Sequence, residues 1–185
     1  MPNMTKYALE ASLKKLLLQK PLDKITINDL TTDCGISRMA FYYHFKDIYD
    51  LTEWVCMEDA SRALQGKKTY DSWQEGLLQI FEAVLENKPF IMNVYHSVSR
   101  EQIENYLFRL TYDLIMGVVE EKSEETEISD DEKKFIADFY KYSFVGIMLD
   151  WIKQGMKENY RELTEKMCTT LKGNIANSIR NFADR

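Results

Sequence analysis

Residues 26–51, Thr-Ile-Asn-Asp-Leu-Thr-Thr-Asp-Cys-Gly-Ile-Ser-Arg-Met-Ala-Phe-Tyr-Tyr-His-Phe-Lys-Asp-Ile-Tyr-Asp-Leu, leave the backbone few options. Thr26 is placed to cap a helix, with Asp29 three residues on in the capping-box position, and Ile27, Leu30 and Cys34 then share one face. Gly35 falls where the chain must leave that helix with a positive φ, a conformation that costs glycine little. Ile36 fills the corner, Ser37 caps a second helix, and Phe41 and Phe45 anchor it by their i, i+4 spacing. Arg38, Met39, Tyr42, Tyr43 and His44 are left for its outer side. Two short helices joined by one tight turn make a helix-turn-helix, whose second helix enters the major groove of DNA. A plain helical hairpin with every aromatic in the core is excluded, because residues 41–45 run right round a helix and cannot all face inward.

The run Gly-Ile-Ser-Arg-x-x-Phe-Tyr-Tyr-His-Phe-Lys-Asp, preceded by Ile-Thr-Ile-x-Asp-Leu, resembles the N-terminal DNA-binding domain of the TetR (tetracycline-repressor) family over roughly the first third of the chain. The resemblance implies that Thr26, Ser37, Tyr42, Tyr43 and His44 contact phosphates or bases, and Lys46 adds a phosphate contact. By their own chemistry, Arg38 suits bidentate reading of guanine and Met39 suits a thymine methyl. One position departs from the family pattern. A lysine usually stands two residues after the position of Lys46 and touches a phosphate; here that residue is Ile48.

Net charge is −6, which by itself argues against a nucleic-acid binder. Its distribution softens the objection: residues 1–50 hold seven Lys/Arg and six Asp/Glu, and the excess acid lies behind them. A head at +1 predicts modest non-specific affinity, so binding would depend on specific contacts and on two heads acting together. With only 7 Gly and 3 Pro in 185 residues, the chain reads as all-α. The 3 cysteines, Cys34, Cys56 and Cys168, are scattered without a C-x-x-C, which fits reduced thiols in a cytoplasmic protein. No signal-peptide pattern and no membrane-spanning apolar run is read.

In chain order, the spacing predicts a first helix over residues 5–20, burying Tyr7, Leu9, Leu13, Leu16 and Leu17 with Lys14, Lys15 and Lys20 exposed, ended by Pro21. Asp47 caps the helix after the helix-turn-helix, with Asp50 in its first turn. Gly66-Lys67-Lys68 is a break, which divides the chain into a DNA-binding head, 1–65 (helix-turn-helix about 26–45), and a regulatory and dimerisation body, 66–185. Body helices are announced by capping boxes at Ser72/Glu75, Ser99/Gln102 and Ser129/Glu132, with a similar pattern at Asn159/Glu162. Residues 120–127 read as a charged loop. A long helix carries Phe135 through Ile152 and another carries Tyr160 through Phe182, for about nine helices in all, a number that also fits the family.

No catalytic constellation emerges, and neither a cofactor nor a metal is expected: His44 and His96 are isolated, and no phosphate loop or nucleophile motif is present. Phe81, Tyr95, Phe108, Tyr112 and Phe139 are candidate linings of an effector pocket. The run 144–152 is apolar nearly all round, so it needs cover on more than one side, which a second subunit would supply by a two-fold contact. The resemblance pairs the last two helices of each subunit, making Phe144, Ile147, Met148, Trp151, Leu171, Ile175 and Ile179 the candidate dimer interface. The reading is a dimeric transcriptional regulator, a repressor by expectation, binding double-stranded DNA at a pseudo-palindromic site under a small-molecule or protein effector. Its rival is a helical ligand- or protein-interaction module that has lost DNA binding, kept open by Ile48 and the weakly basic head.

Overall fold

The structure is a computed structural model that describes residues 2–64 and 73–184. Its elements are α1 (Pro2–Leu17), a 3-10 turn (Leu22–Lys24), α2 (Ile27–Cys34), α3 (Arg38–His44), α4 (Ile48–Ala63), α5 (Trp73–Glu86), α6 (Lys88–Ser97), α7 (Arg100–Lys122), α8 (Asp130–Lys153), α9 (Tyr160–Leu171) and α10 (Asn174–Ala183). No strand occurs among the described residues. The expected break at Gly66-Lys67-Lys68 and the Ser72 cap lie outside them.

The chain forms two compact units, one of residues 2–59 with Asn87–Ile103, the other drawn from Ala60–Glu86 and Glu104–Arg185. In the first unit, α1 buries Leu9, Leu13 and Leu17 at i, i+4, i+8 against Leu22, Ile25, Leu30, Phe41, Phe45, Leu51 and Val55. Each such side chain contributes about 1.5–3 kcal/mol on leaving water. Tyr7, expected in that stripe, is 45% exposed and gives its hydroxyl to Glu58 at 3.1 Å. Helix α6 joins this core through Phe90 and Val94. Its Asn93 donates to the carbonyls of Leu17 and Lys20 at 3.0 and 3.3 Å and accepts from Leu22 N–H at 3.0 Å.

The second unit is built around α8, which buries Phe144, Met148 and Trp151 on one side. Phe81 of α5 meets Trp151 with ring centroids 5.1 Å apart, and Trp73 meets Phe144 at 6.2 Å. Trp151 Nε1 donates to the Glu158 carbonyl at 2.9 Å, which closes the turn after α8. Two boundaries differ from expectation. The expected helix from Tyr160 to Phe182 is interrupted at Gly173, which takes φ 77°, so α9 and α10 are separate segments. Helix α7 also runs on through residues 120–122, and the expected loop shrinks to a turn stitched by Ser123 Oγ donating to the Glu120 carbonyl at 3.1 Å.

The capping boxes at Ser99/Gln102 and Ser129/Glu132 are both made reciprocally. Asn159 instead accepts from Arg161 N–H at 3.0 Å, while its amide reaches Glu162 at 3.4 Å.

Candidate nucleic-acid interface

The helix-turn-helix is held by local hydrogen bonds before any packing is counted. Asp29 N–H donates to Thr26 Oγ1 at 3.1 Å, and Thr26 N–H donates to Asp29 Oδ2 at 2.7 Å, closing the capping box. Lys20 reaches the same carboxylate oxygen at 2.8 Å. These donors, Lys20 first and the Thr26 backbone next, hold the Asp29 carboxyl at a pKa of about 2. Gly35 ends α2 at φ 66°, ψ 31°, and Ile36 N–H returns to the Thr31 carbonyl at 3.0 Å. Ser37 Oγ then accepts from Ala40 N–H at 3.1 Å to start α3.

Phe41 and Phe45 fix α3 from beneath, 0% and 4% exposed, with ring centroids 6.0 Å apart. On the opposite side Met39 and Tyr43 are each 82% exposed and Tyr42 is 50% exposed. Arg38 is also exposed and lies 3.5 Å from the Tyr42 hydroxyl. His44 is half-buried, its ring edge-on to Tyr43. Lys46 is exposed, with its backbone N–H bound by Asp50 at 2.8 Å.

Ile48 has a physical reason for not being lysine. Its side chain is half-buried and packs against the core of this unit. At the same helix start, Asp47 Oδ1 accepts from the N–H groups of Tyr49 and Asp50, both at 2.9 Å. That end of α4 therefore has its amides satisfied by the chain's own carboxylates.

Charge pairing separates the head's cations into two groups. Lys14 bridges Glu10 and Asp59 at 2.8 Å each, Lys15 meets Asp33 at 2.5 Å, Lys20 meets Asp29, and Lys24 meets Asp23 at 3.5 Å. Lys6, Arg38 and Lys46 have no carboxylate partner among the described residues. The sequence shows how many charges there are; which of them cancel depends on the folded arrangement.

The remaining candidates divide differently from expectation. The second unit holds a small, almost wholly apolar cavity of about 30 Å³ lined by side chains of α5, α7, α8 and α10, Thr111 among them. Of the expected pocket residues only Phe81 lines it. Tyr95 belongs to α6 in the other unit, and Phe139 is 60% exposed on α8. Phe108 and Tyr112 are turned instead to Lys141, whose ammonium lies 5.1 and 5.4 Å from their ring centroids.

Among the expected dimer residues, Phe144, Met148, Trp151, Ile175 and Ile179 are at most 7% exposed within a single subunit, so they have almost no surface left for a second. Leu171 is half-buried and Ile147 is 37% exposed. The apolar surface of α8 that stays open is Phe135, Phe139 and Tyr142, a set the 3.6-residue phase separates from Phe144 and Met148.

All three cysteines are free, and burial raises the pKa of each thiol. No group of three or more His, Cys, Asp or Glu suited to a metal occurs among the described residues, and no described helix is long and apolar enough to cross a membrane.

An all-α chain with a capped helix-turn-helix is the architecture of a DNA-binding regulator, and the comparisons narrow this further. Residues 71–173, more than half of the chain, match the TetR family model described as the transcriptional regulator C-terminal region. The chain belongs to the TetR family of transcriptional regulators. It is 22% identical over 173 residues, 91% of either chain, to the HTH-type dhaKLM operon transcriptional activator DhaS of Lactococcus lactis subsp. lactis (strain IL1403). Among solved structures it shares its fold with the dihydroxyacetone kinase operon activator DhaS (TM-score 0.70, 20% identity, 97% of this chain and 98% of that one). A TetR transcriptional regulator from Rhodococcus sp. RHA1 is also similar (TM-score 0.64, 12% identity, 94% and 98%).

Proposed function

We propose that this regulator binds a pseudo-palindromic operator as a homodimer, one α3 in each of two successive major grooves about 34–36 Å apart. The observation that carries the reading is the outer face of α3. Arg38, Met39 and Tyr43 stand in solvent while Phe41 and Phe45 hold the helix rigid from below. Exposing large apolar and aromatic side chains on a short helix costs stability unless another surface covers them. Arg38 is the guanine reader and Met39 the thymine-methyl contact; Tyr42, Tyr43, His44, Lys46, Thr26 and Ser37 serve the backbone and adjoining bases.

Dimerisation uses the open aromatic face of α8, Phe135, Phe139 and Tyr142, with Ile147 at its edge. Gly146 supports this choice. A glycine inside a helix costs about 0.5–1 kcal/mol relative to alanine, and here nothing lies within 4 Å of where its Cβ would stand. Within one subunit the glycine has no packing reason, whereas a second helix crossing closely there would supply one. An effector acts on the second unit by shifting the population of head spacings. The cavity holds about one water in volume, so a small-molecule effector has to open the helices around Phe81 and Met148. The direction of regulation follows from where the operator lies; the activator role in the name of the Lactococcus relative favours activation over the repression expected from the sequence.

The test is titration of the purified protein against the DNA upstream of its own gene and against a scrambled duplex. Arg38→Ala is expected to weaken specific binding by about 1–3 kcal/mol and to relax base preference at one position per half-site. An equal loss on both duplexes would make Arg38 a phosphate contact only. Absence of binding to either duplex at low salt would favour the interaction-module reading.

A further inference from the structure

Phe108 and Tyr112, which do not line the apolar cavity, converge on a single point between α7 and α8, and Tyr142 joins them there. Their ring centroids lie 5.1, 5.4 and 4.8 Å from the Lys141 ammonium. Phe108 and Tyr142 also meet edge to face, with centroids 5.0 Å apart. Lys141 donates to Asp138 Oδ1 at 2.6 Å. Three rings and one carboxylate thus box in a cation, all within the second unit.

Each ring face attracts positive charge through its quadrupole, and the carboxylate adds a Coulomb attraction. The present occupant is a compact, strongly hydrated ammonium, and its side chain is only 12% exposed. A quaternary ammonium has no N–H groups to strip of water and sets methyl groups against the ring faces, so it suits the same walls better. Lys141 is also a tethered occupant on a flexible four-carbon stem. The Asp138 side chain that holds it is 46% exposed, and an ion pair so open to water is weak. Swinging Lys141 outward costs little and leaves the rings and Asp138 free for another cation. Asp138 follows Phe139 on α8 by one residue, about 100° round the helix, so a partner covering Phe139 does not have to cover the box.

We propose that Phe108, Tyr112, Tyr142 and Asp138 form a binding site for a small quaternary-ammonium ligand, with the Lys141 side chain as its built-in competitor. Cation binding here is independent of operator binding, so the two readings fail separately.

The probe is choline, added to the full chain at constant ionic strength, beside the neutral alcohol in which carbon replaces the choline nitrogen. Binding is read by saturation transfer from protein to the ligand methyl protons and by the rise of melting temperature with ligand concentration. Wild type is expected to bind choline and not the alcohol. Lys141→Ala removes the competitor, and choline is expected to bind about tenfold more tightly, because the open fraction of the box no longer limits the apparent affinity. Tyr142→Leu alters a side chain that is 59% exposed, so the core stays intact while one wall of the box is lost. It is expected to weaken choline binding, which keeps the site testable if Lys141→Ala does not fold. Equal binding of the alcohol overturns the proposal, since apolar contact alone would then suffice. So does choline binding that neither substitution changes, because the cation would then sit elsewhere. Absence of choline binding to wild type overturns it too, and leaves the Lys141 cluster a purely structural one.

Discussion

Asn93 Oδ1 accepts the N–H of Leu22 at 3.0 Å, joining α6 to the turn that follows α1 across a long stretch of sequence. The same side chain donates to Leu17 and Lys20, so one amide serves the end of α1 and the start of the 3-10 turn. Asn93→Ala leaves these part-buried groups unsatisfied and is expected to cost about 1–3 kcal/mol, read as a lower denaturant midpoint at unchanged m-value. Asn93→Asp keeps the acceptor for Leu22 but sets an ionised carboxylate, which cannot donate, against the Leu17 and Lys20 carbonyls, so it is expected to lose at least as much at neutral pH as alanine does.

Asp29 makes acid stability of the head sensitive to one carboxyl. Its pKa is lowered from an ordinary 3.8 to about 2, first by Lys20 and then by Thr26. A depressed folded-state pKa adds stability above the unfolded value, and that stability is lost as pH falls through the folded one. The window is therefore from about pH 4 to pH 2. Asp29→Asn is expected to lower stability at neutral pH and to flatten the pH dependence within that window, followed by circular dichroism melts across the range.

Phe139 and Gly146 test the association face. Phe139→Glu alters a side chain that is 60% exposed, so the subunit should stay helical while sedimentation shifts toward monomer. Gly146→Ala is expected to stabilise the isolated subunit by about 0.5–1 kcal/mol and to weaken association, because the added methyl has room inside the subunit but meets a crossing helix. A dimer unchanged by both substitutions would move the interface elsewhere.

Phe81 probes the apolar cavity. It is fully buried against Trp151, and Phe81→Ala is expected to cost about 3–5 kcal/mol by lost transfer energy and enlarged void. The enlarged space should then take up small aromatic hydrocarbons, detected as a rise in melting temperature with ligand concentration.

Much of the local structure was legible before any coordinates. The Thr26–Asp29 capping box, the left-handed Gly35, the Ser37 cap and the burial of Phe41 and Phe45 all follow from residues within a few positions of one another. The break at Gly173 was legible by the same logic, since glycine after a helical run is a stop signal, but the apolar periodicity from Tyr160 to Phe182 overrode it. The candidate interface on α8 was harder to read. Phe139, Ile147, Met148 and Trp151 all sit on an apolar helix, and periodicity cannot say which side of it the subunit itself will cover.

The sequence by itself determined α2 and α3, the turn between them, and the side of α3 that Phe41 and Phe45 turn inward, because these depend on caps, glycine conformations and short-range spacing. Tertiary structure alone decided which charges cancel and which apolar faces are spent. Lys14 is neutralised by Asp59 and Lys6 is carried on Trp54 through contacts across more than forty residues. Coulomb attraction and ring quadrupoles act over a few ångströms of space, and only the packed core brings those side chains within that range.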